Sequence, residues 1–146
     1  MSRGTATLRQ SGVIPYRRTE PGLEVLLIVS RNSGNWIVPK GHLEPGLSPR
    51  ESARNEAIEE AGVDGNIGPR SIGGFTYERH PVHGIILCRV ILYPMSVTNE
   101  VEDYLEKDER EKRWVRAEEA LIMVPLDGLK AAISKLIDQN APGKLA

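Results

Sequence analysis

The sequence of 146 residues contains only one cysteine, Cys88. A single thiol excludes an intramolecular disulfide and a zinc site built from several cysteines. Because Cys88 lies within an apolar run, we interpret it as a small core residue rather than as a nucleophile.

The sequence also has few aromatic residues, a net charge close to zero and no long apolar run. Two tryptophans, four tyrosines and one phenylalanine leave few rings for stacking on a nucleobase once a core is filled. Nineteen basic and twenty acidic residues give a net charge of −1, which provides no bulk attraction for a nucleic-acid polymer or an anionic membrane. No apolar stretch approaches the ~20 residues that span a bilayer, and no signal peptide is visible at the start. We therefore expect a cytoplasmic protein that binds neither nucleic-acid polymers nor membranes.

The apolar segments that are present predict one α/β domain over residues 1–146, with 40% hydrophobic residues to fill a core. Strands are predicted at residues 11–16, 24–30, 71–77, 82–93 and 114–115, and late helices at residues 118–124 and 126–139. Pro15 places the first strand at an edge or a bulge, and the glycine-rich residues 64–69 are expected to form a loop. The ends, residues 1–10 and 140–146, are expected to be flexible. Strands interleaved with helices imply a sheet that is covered on both faces.

The most clearly delimited segment is a helix between Ser48 and Gly62. Ser48 suits the N-cap, Pro49 the first helical position, and Glu51 completes an S-x-x-E capping box. Gly62 follows as a C-terminal stop. Three alanines recur at i+4 and form a stripe for close packing: Ala53, Ala57 and Ala61.

Three glutamates, Glu56, Glu59 and Glu60, share about a quarter of the circumference of this helix. Like charges at this spacing repel each other, and Glu59 and Glu60 also oppose the helix dipole near its C-terminal end. A hard divalent cation would reverse that cost, because Mg2+ and Mn2+ prefer oxygen ligands. The spacing alone leaves two interpretations, a metal site and a solvated acidic face.

The segment GHLEPGLSPRESARNEAIEEAGV, residues 41–63, resembles the Nudix box, G-x5-E-x7-R-E-U-x-E-E-x-G-U, in which U is aliphatic. The positions that match in register are Gly41, Glu56, Ala57, Glu59, Glu60, Gly62 and Val63. Two positions depart from the signature, because Leu47 replaces the first glutamate and Asn55 replaces the arginine. These two family residues usually pair with each other, so both partners are missing together.

The resemblance implies a Nudix fold, an α/β/α sandwich around a central mixed sheet. It also implies a pyrophosphohydrolase that needs Mg2+ or Mn2+ and cleaves a phosphoanhydride bond. By the same resemblance, Glu56 and Glu60 would be the principal metal ligands, Glu59 would share the cluster, and Gly41 would contribute its carbonyl. Nudix enzymes often add a late carboxylate as a ligand or general base. The chain offers Glu109 first, with Glu111 and then Glu106 as alternatives.

The run W-I-V-P-K-G-H, residues 36–42, resembles a run in Nudix enzymes that act on diadenosine and diphosphoinositol polyphosphates. It implies that Lys40 and His42 contact phosphate. The remaining candidates for substrate contacts are Arg31, Arg79 and His80 for phosphate, and Tyr77 and Phe75 as aromatic platforms. An ordinary surface or core role is the alternative for each of these residues.

The leading hypothesis is a metal-dependent pyrophosphohydrolase that acts on a dinucleoside polyphosphate or a related small molecule, as a monomer or homodimer. An alternative keeps the mechanism but takes ADP-ribose or a nucleoside triphosphate. The absence of the Glu–Arg pair at Leu47 and Asn55 motivates another, a weak or inactive binding module. A structural domain with an acidic helix is the remaining interpretation.

Overall fold

The computed structural model describes residues 5–20 and 22–141. In these ranges four strands precede the first helix, and four more strands precede the last two helices. The strands are β1 (Thr5–Arg18), β2 (Leu23–Val29), β3 (Trp36–Ile37), β4 (Lys40–His42), β5 (Val63–Ile67), β6 (Gly73–Arg79), β7 (Ile85–Glu100) and β8 (Lys112–Arg116). The helices are α1 (Pro49–Ala61), α2 (Ala117–Met123) and α3 (Asp127–Gln139). None of the helices in the described ranges is long and apolar enough to cross a membrane.

The strands form one mixed sheet around the long central pair β1 and β7. These two strands run parallel, in a register that extends from Thr5 opposite Ile85 to Tyr16 opposite Ser96. All the other pairings are antiparallel: β2 and β4 lie on the far side of β1, and β5 and β6 on the far side of β7. The end of β2 also pairs with β3, and most of its length, Glu24 to Ile28, pairs with β8. The predicted mixed sheet is therefore confirmed.

Two local predictions are wrong for tertiary reasons. Pro15 is central rather than at an edge, because the pairing of β1 with β4 stops at Gly12 and the pairing with β2 begins only at Tyr16. Pro15 lies in the interval between these ladders, where a missing N–H breaks no ladder bond. Residues 63–67 form β5 rather than a loop, because the extended end of β7 offers them a partner.

The predicted flexible ends are only partly covered by the described residues. Residues 5–10 belong to β1, and Gln10 is buried. At the other end, Asn140 caps α3 and accepts a hydrogen bond from Arg18 at 2.7 Å. Residues 1–4 and 142–146 lie outside the described part of the chain.

The sheet separates two apolar layers. On β2, Leu26 and Ile28 face the layer that contains α1, whereas Val25 and Leu27 face the layer that contains α2 and α3. This strict alternation is the two-residue period of a strand that is buried on both faces. The sandwich predicted from interleaved strands and helices follows directly from it.

Helix α1 has the predicted ends. The Ser48 side chain accepts a hydrogen bond from the Glu51 backbone N–H at 3.2 Å, and the Glu51 carboxylate accepts one from the Ser48 N–H at 3.1 Å. Gly62 ends the helix in the left-handed region, at φ 68°. The predicted alanine stripe is fully buried against the sheet: Ala53, Ala57 and Ala61. Close packing of this stripe fixes the height of the glutamate face above β1 and β4.

Candidate active site

The centre of the site is the contact between Gly41 on β4 and Glu56 on α1. A side-chain carbon added at Gly41 would overlap the Glu56 carboxylate. Only glycine therefore allows this carboxylate to pack against the β4 backbone. β4 is itself held by its antiparallel pairing with β1, in which Gly41 lies opposite Ser11.

Glu60 lies one helical turn after Glu56 and is 9% exposed. Its carboxylate accepts a hydrogen bond from the Lys40 backbone N–H at 3.0 Å, and its other oxygen lies 3.9 Å from Nη2 of Arg110. Burial raises the pKa of Glu60 to about 7, although the Lys40 N–H and the Arg110 charge oppose the shift. This carboxylate is tied to the floor of the site but is only partly neutralised.

Glu56 is neutralised still less. Burial raises its pKa to about 8, and the neighbouring charges of Glu60 and Glu59 add to the shift. Burial makes ionisation of both carboxyl groups costly, and the charge of Glu60 adds to that cost at Glu56. A proton or another cation beside them would offset it.

Glu59 is placed differently from the other two glutamates. It is half-buried, and its backbone carbonyl accepts a hydrogen bond from the Glu106 N–H at 3.0 Å. The side chains that line the cleft include Glu56 and Glu60 but not Glu59. Within residues 5–20 and 22–141, no three acidic, histidine or cysteine side chains are grouped so as to hold a metal ion by themselves. The ligand role of Glu59 stays a prediction.

A half-buried lysine, Lys40, lies beside the carboxylates. The Lys40 ammonium donates to the Tyr77 hydroxyl at 2.8 Å and lies 4.5 Å from the centre of the Tyr77 ring. The Tyr77 hydroxyl in turn donates to the Gln10 side chain at 2.8 Å. Burial lowers the pKa of Lys40, whereas the Glu60 charge opposes that shift, and burial raises the pKa of Tyr77 to about 12. The lysine is held in place by this chain of hydrogen bonds. It covers the face of Tyr77, the ring that the sequence suggested for stacking on a nucleobase.

In the late loop, the structure places Arg110 beside Glu60 and pairs it with Glu106. The role of the first-ranked Glu109 stays a prediction. The Arg110 side chain is 9% exposed and donates to Glu106 at 2.8 Å. Nη2 of Arg110 lies 2.8 Å from Glu106 and 3.9 Å from Glu60, so this arginine links Glu106 to Glu60. The Glu106 charge contributes to the raised pKa of both Glu56 and Glu60. Glu109 is exposed and pairs with Arg31. Glu111 is also exposed and accepts a hydrogen bond from Arg113 at 2.8 Å.

Two neighbouring spaces lie at these residues. We call the first the carboxylate cleft, a space of about 280 Å³ that contains Glu56 and Glu60. Its basic lining residues are Arg31, Lys40, His42, Arg79 and Arg110. We call the second the outer pocket, a space of about 480 Å³ that includes His80 and the uncharged polar residues Ser33 and Asn35. Both spaces share Ser30, Asn32, Ile37, Lys40, Tyr77 and Arg79. The two spaces therefore lie side by side.

Comparison with known proteins identifies the family to which this arrangement belongs. Residues 7–139 match the model of the NUDIX domain. The chain belongs to the Nudix family. Nudix hydrolase 12, mitochondrial, from Arabidopsis thaliana is 33% identical over 144 residues, covering 87% of this chain and 71% of that protein. Diphosphoinositol polyphosphate phosphohydrolase 3-alpha from Homo sapiens is 37% identical over 107 residues, or 71% of this chain and 62% of that protein.

A solved structure of a Nudix-type fold supports the architecture. An Ap4A hydrolase binary complex from C. elegans superposes with a TM-score of 0.65 at 21% identity, over 88% of this chain and 94% of that one. The predicted Nudix fold and the prediction of a Nudix-type pyrophosphohydrolase are both confirmed.

The Nudix site fits a divalent cation in a particular way. Glu56 and Glu60 supply two under-neutralised carboxylates, and the bare α-carbon of Gly41 lets the backbone approach them. Mg2+ typically takes one or two carboxylates from the protein and completes its shell with water and substrate phosphates. The lack of a closed three-ligand group in the described ranges is compatible with that mode.

Sequence reasoning missed three residues of the Nudix site: Gln10, Glu44 and Arg110. Gln10 belongs to the segment predicted to be flexible, and it reaches the site only because β1 crosses the whole sheet. Arg110 adjoins the predicted Glu109 in a charged loop whose path no periodic pattern fixes. The Glu44 carboxylate accepts a hydrogen bond from the Asn55 side-chain amide at 3.2 Å. Glu44 lies in the loop between β4 and α1, which we call the box loop. Because Leu47 cannot pair with Asn55, the sequence could have suggested Glu44 as the nearby acidic partner of Asn55.

Proposed function

We propose that this Nudix protein is a divalent-metal-dependent pyrophosphohydrolase that cleaves a phosphoanhydride bond in a small polyphosphate, such as a dinucleoside polyphosphate. The single observation that carries the proposal is that Glu56 and Glu60 face several basic side chains across one cleft. Carboxylates serve a cation and basic side chains serve a phosphate chain, so the cleft has both halves of such a site.

Each residue has a distinct task in this proposal. Glu56 and Glu60, with the Gly41 carbonyl, would hold Mg2+ or Mn2+. Such an ion supplies charge neutralisation for phosphate oxygens and activation of water. Lys40 and Arg79 line both spaces and would position successive phosphates, because positioning and electrostatics carry most of a phosphoryl-type reaction.

The relatives support a polyphosphate substrate without fixing which one. The human relative is named for diphosphoinositol polyphosphates. In this chain, Lys40 occupies the face of Tyr77, and Phe75 is 7% exposed. Neither ring is offered freely to a nucleobase, so we infer that recognition depends mainly on the phosphate chain.

We also propose a small-molecule substrate rather than a nucleic-acid polymer or a membrane, in a protein that acts as a monomer or homodimer. Cytoplasmic location remains a prediction, and the plant relative is named as mitochondrial. Imaging of the tagged chain in its own cells would test it.

The deciding experiment is a substrate panel with millimolar Mg2+ or Mn2+, read by anion-exchange separation of the products. It contains diadenosine tetraphosphate, a diphosphoinositol polyphosphate, ADP-ribose and nucleoside triphosphates. We expect hydrolysis of a polyphosphate that is abolished by EDTA, and a loss of at least about 100-fold in Glu60→Gln.

Glu119→Gln, which alters an exposed carboxylate on α2, is the matched control and should act like the wild type. Equal hydrolysis by the wild type and Glu60→Gln would refute the assigned role. Preference for ADP-ribose or a nucleoside triphosphate would select the alternative substrate class, and binding without turnover would select the binding module.

A further inference from the structure

The loop between β4 and α1 is tied to the helix by two hydrogen bonds from one residue, Glu44. Its backbone N–H donates to the hydroxyl of Ser52 at 2.9 Å, and Ser52 is fully buried. Its carboxylate accepts a hydrogen bond from the Asn55 side-chain amide at 3.2 Å. Ser52 and Asn55 are three residues apart, so they lie on the same side of α1.

The Glu44–Asn55 contact involves one of the two positions that depart from the Nudix signature. Leu47 occupies the position of the family glutamate and carries no charge, and Asn55 occupies the position of its arginine partner. Asn55 nevertheless has an acidic partner, Glu44, which lies three residues before Leu47 in the loop. We propose that Glu44 is a positioning residue that replaces the missing glutamate and, with Asn55, holds the box loop on the catalytic helix. This inference rests on the proposed function only for its effect on turnover.

The position of the tie explains what it would do. Asn55 immediately precedes Glu56, and the same loop leaves β4 just after Gly41. Because the Glu56 carboxylate packs against the α-carbon of Gly41, any shift of the loop relative to α1 changes the space in which that carboxylate sits. The capping box of Ser48 and Glu51 fixes the start of the helix, whereas the Glu44 contacts fix the loop at the level of the catalytic face.

The replacement pair also differs in charge from an ion pair. An asparagine amide donates a hydrogen bond but does not neutralise a carboxylate. The structure therefore predicts that an arginine at position 55 would find an acceptor already in place, without restoration of a glutamate at position 47. A guanidinium–carboxylate contact is stronger than an amide–carboxylate contact. An arginine at position 55 should therefore stabilise the protein when Glu44 is present.

The first experiment is a double-mutant cycle on the free energy of unfolding in urea, with metal-free protein in EDTA. The variants are Glu44→Ala, Asn55→Ala and the combination of both. We expect each single change to lower the unfolding midpoint and the combination to lower it by less than the sum, because either change alone already breaks the contact.

The matched control cycle combines Glu44→Ala with Arg54→Ala. Arg54 is the neighbour of Asn55 on α1, but its side chain pairs with Asp64 at 2.8 Å, so these two changes should be additive. Additive effects in the Glu44–Asn55 cycle as well would overturn the proposal.

The second experiment does not depend on a destabilised variant. Asn55→Arg should raise the melting temperature by about 2–4 °C through the stronger contact, and the gain should disappear in a Glu44→Gln background. The same gain in both backgrounds would show that the arginine acts elsewhere and would overturn the proposal.

Turnover of the substrate found with the panel supplies a readout that a purely structural role would not move. Asn55→Ala should lower kcat several-fold with KM unchanged, whereas Asn55→Arg should retain kcat because it keeps the loop tied. A rise in KM with unchanged kcat would contradict positioning of Glu56. If no polyphosphate is hydrolysed at all, the proposed function fails, but the unfolding cycles in EDTA still decide whether Glu44 and Asn55 are coupled.

Discussion

At the scale of single residues, the site depends on atoms that are absent. Gly41 has no side chain, and the Glu56 carboxylate occupies the space that one would fill. A methyl group there must push the carboxylate away from β4 or push β4 away from α1. Because β4 is held by its ladder to β1, we expect the carboxylate to move.

Gly41→Ala should therefore impair catalysis more than folding. We expect kcat to fall by about 10-fold or more, since misplacement by about 1 Å can cost 100-fold in rate. The melting temperature should change much less. Steady-state kinetics and thermal unfolding of the same preparations would measure both effects.

Gly22→Ala is the matched control, because a methyl group at Gly22 meets no atom within 4 Å. It should leave both kcat and the melting temperature near the wild-type values. A Gly41→Ala variant with wild-type kcat would show that the position of the Glu56 carboxylate does not limit the reaction.

At the scale of elements, α1 and the loop between β7 and β8 both contribute charged residues to the carboxylate cleft. Helix α1 brings Glu56 and Glu60, and the loop brings Arg110 with its partner Glu106. The loop is also tied to the helix, because the Glu106 N–H donates to the Glu59 carbonyl at 3.0 Å. Glu106 is therefore held beside α1 and Arg110, whereas Glu109 is exposed and pairs with Arg31.

We predict from this placement that Glu106 is the late carboxylate that assists catalysis. Glu106→Gln should lower kcat on the order of 100-fold, within the range for loss of a general acid or base, with KM largely unchanged. Glu109→Gln should lower kcat by less than about 3-fold and act mainly on KM, because it releases a basic residue of the cleft. The two variants should be compared at saturating metal.

The reverse order of effects would restore Glu109 to the role that sequence analysis gave it. Equal and small effects would mean that neither loop carboxylate takes part in the chemical step. Circular dichroism of both variants would verify that the helices and the sheet are intact.

At the scale of the whole molecule, the sequence predicted features that neighbouring residues determine better than features that depend on contacts between distant segments. The ends of α1 were predictable because Ser48, Glu51 and Gly62 act on backbone groups within a few residues of themselves. The full length of β1 was not, because the tolerance of Pro15 depends on where two other strands stop pairing. The partner of Asn55 was likewise set by the path of a loop. Sequence patterns therefore located the helix of the Nudix box but did not supply the contacts that orient it.

The stability of the whole fold should also depend on pH through the two central carboxyl groups. Burial, with repulsion from its neighbours, raises the pKa of Glu56 to about 8, and burial raises that of Glu60 to about 7, whereas both groups have a pKa near 4.5 when unfolded. Between these values the folded state binds protons that the unfolded state has released. The resulting stabilisation is complete below about pH 4.5 and is lost as the pH rises through 7 and 8.

Metal-free protein in EDTA should therefore unfold at progressively lower urea concentrations from pH 5 to pH 8. Glutamine resembles a protonated glutamate in shape and lack of charge, so the Glu56→Gln/Glu60→Gln variant should retain at pH 8 the stability that the wild type has at pH 5. Mn2+ at pH 8 should restore the wild type, because a bound cation replaces the lost protons, and it should leave the double variant unchanged. Parallel pH profiles for both proteins, with an equal response to Mn2+, would mean that neither the protons nor the cation are held by this pair.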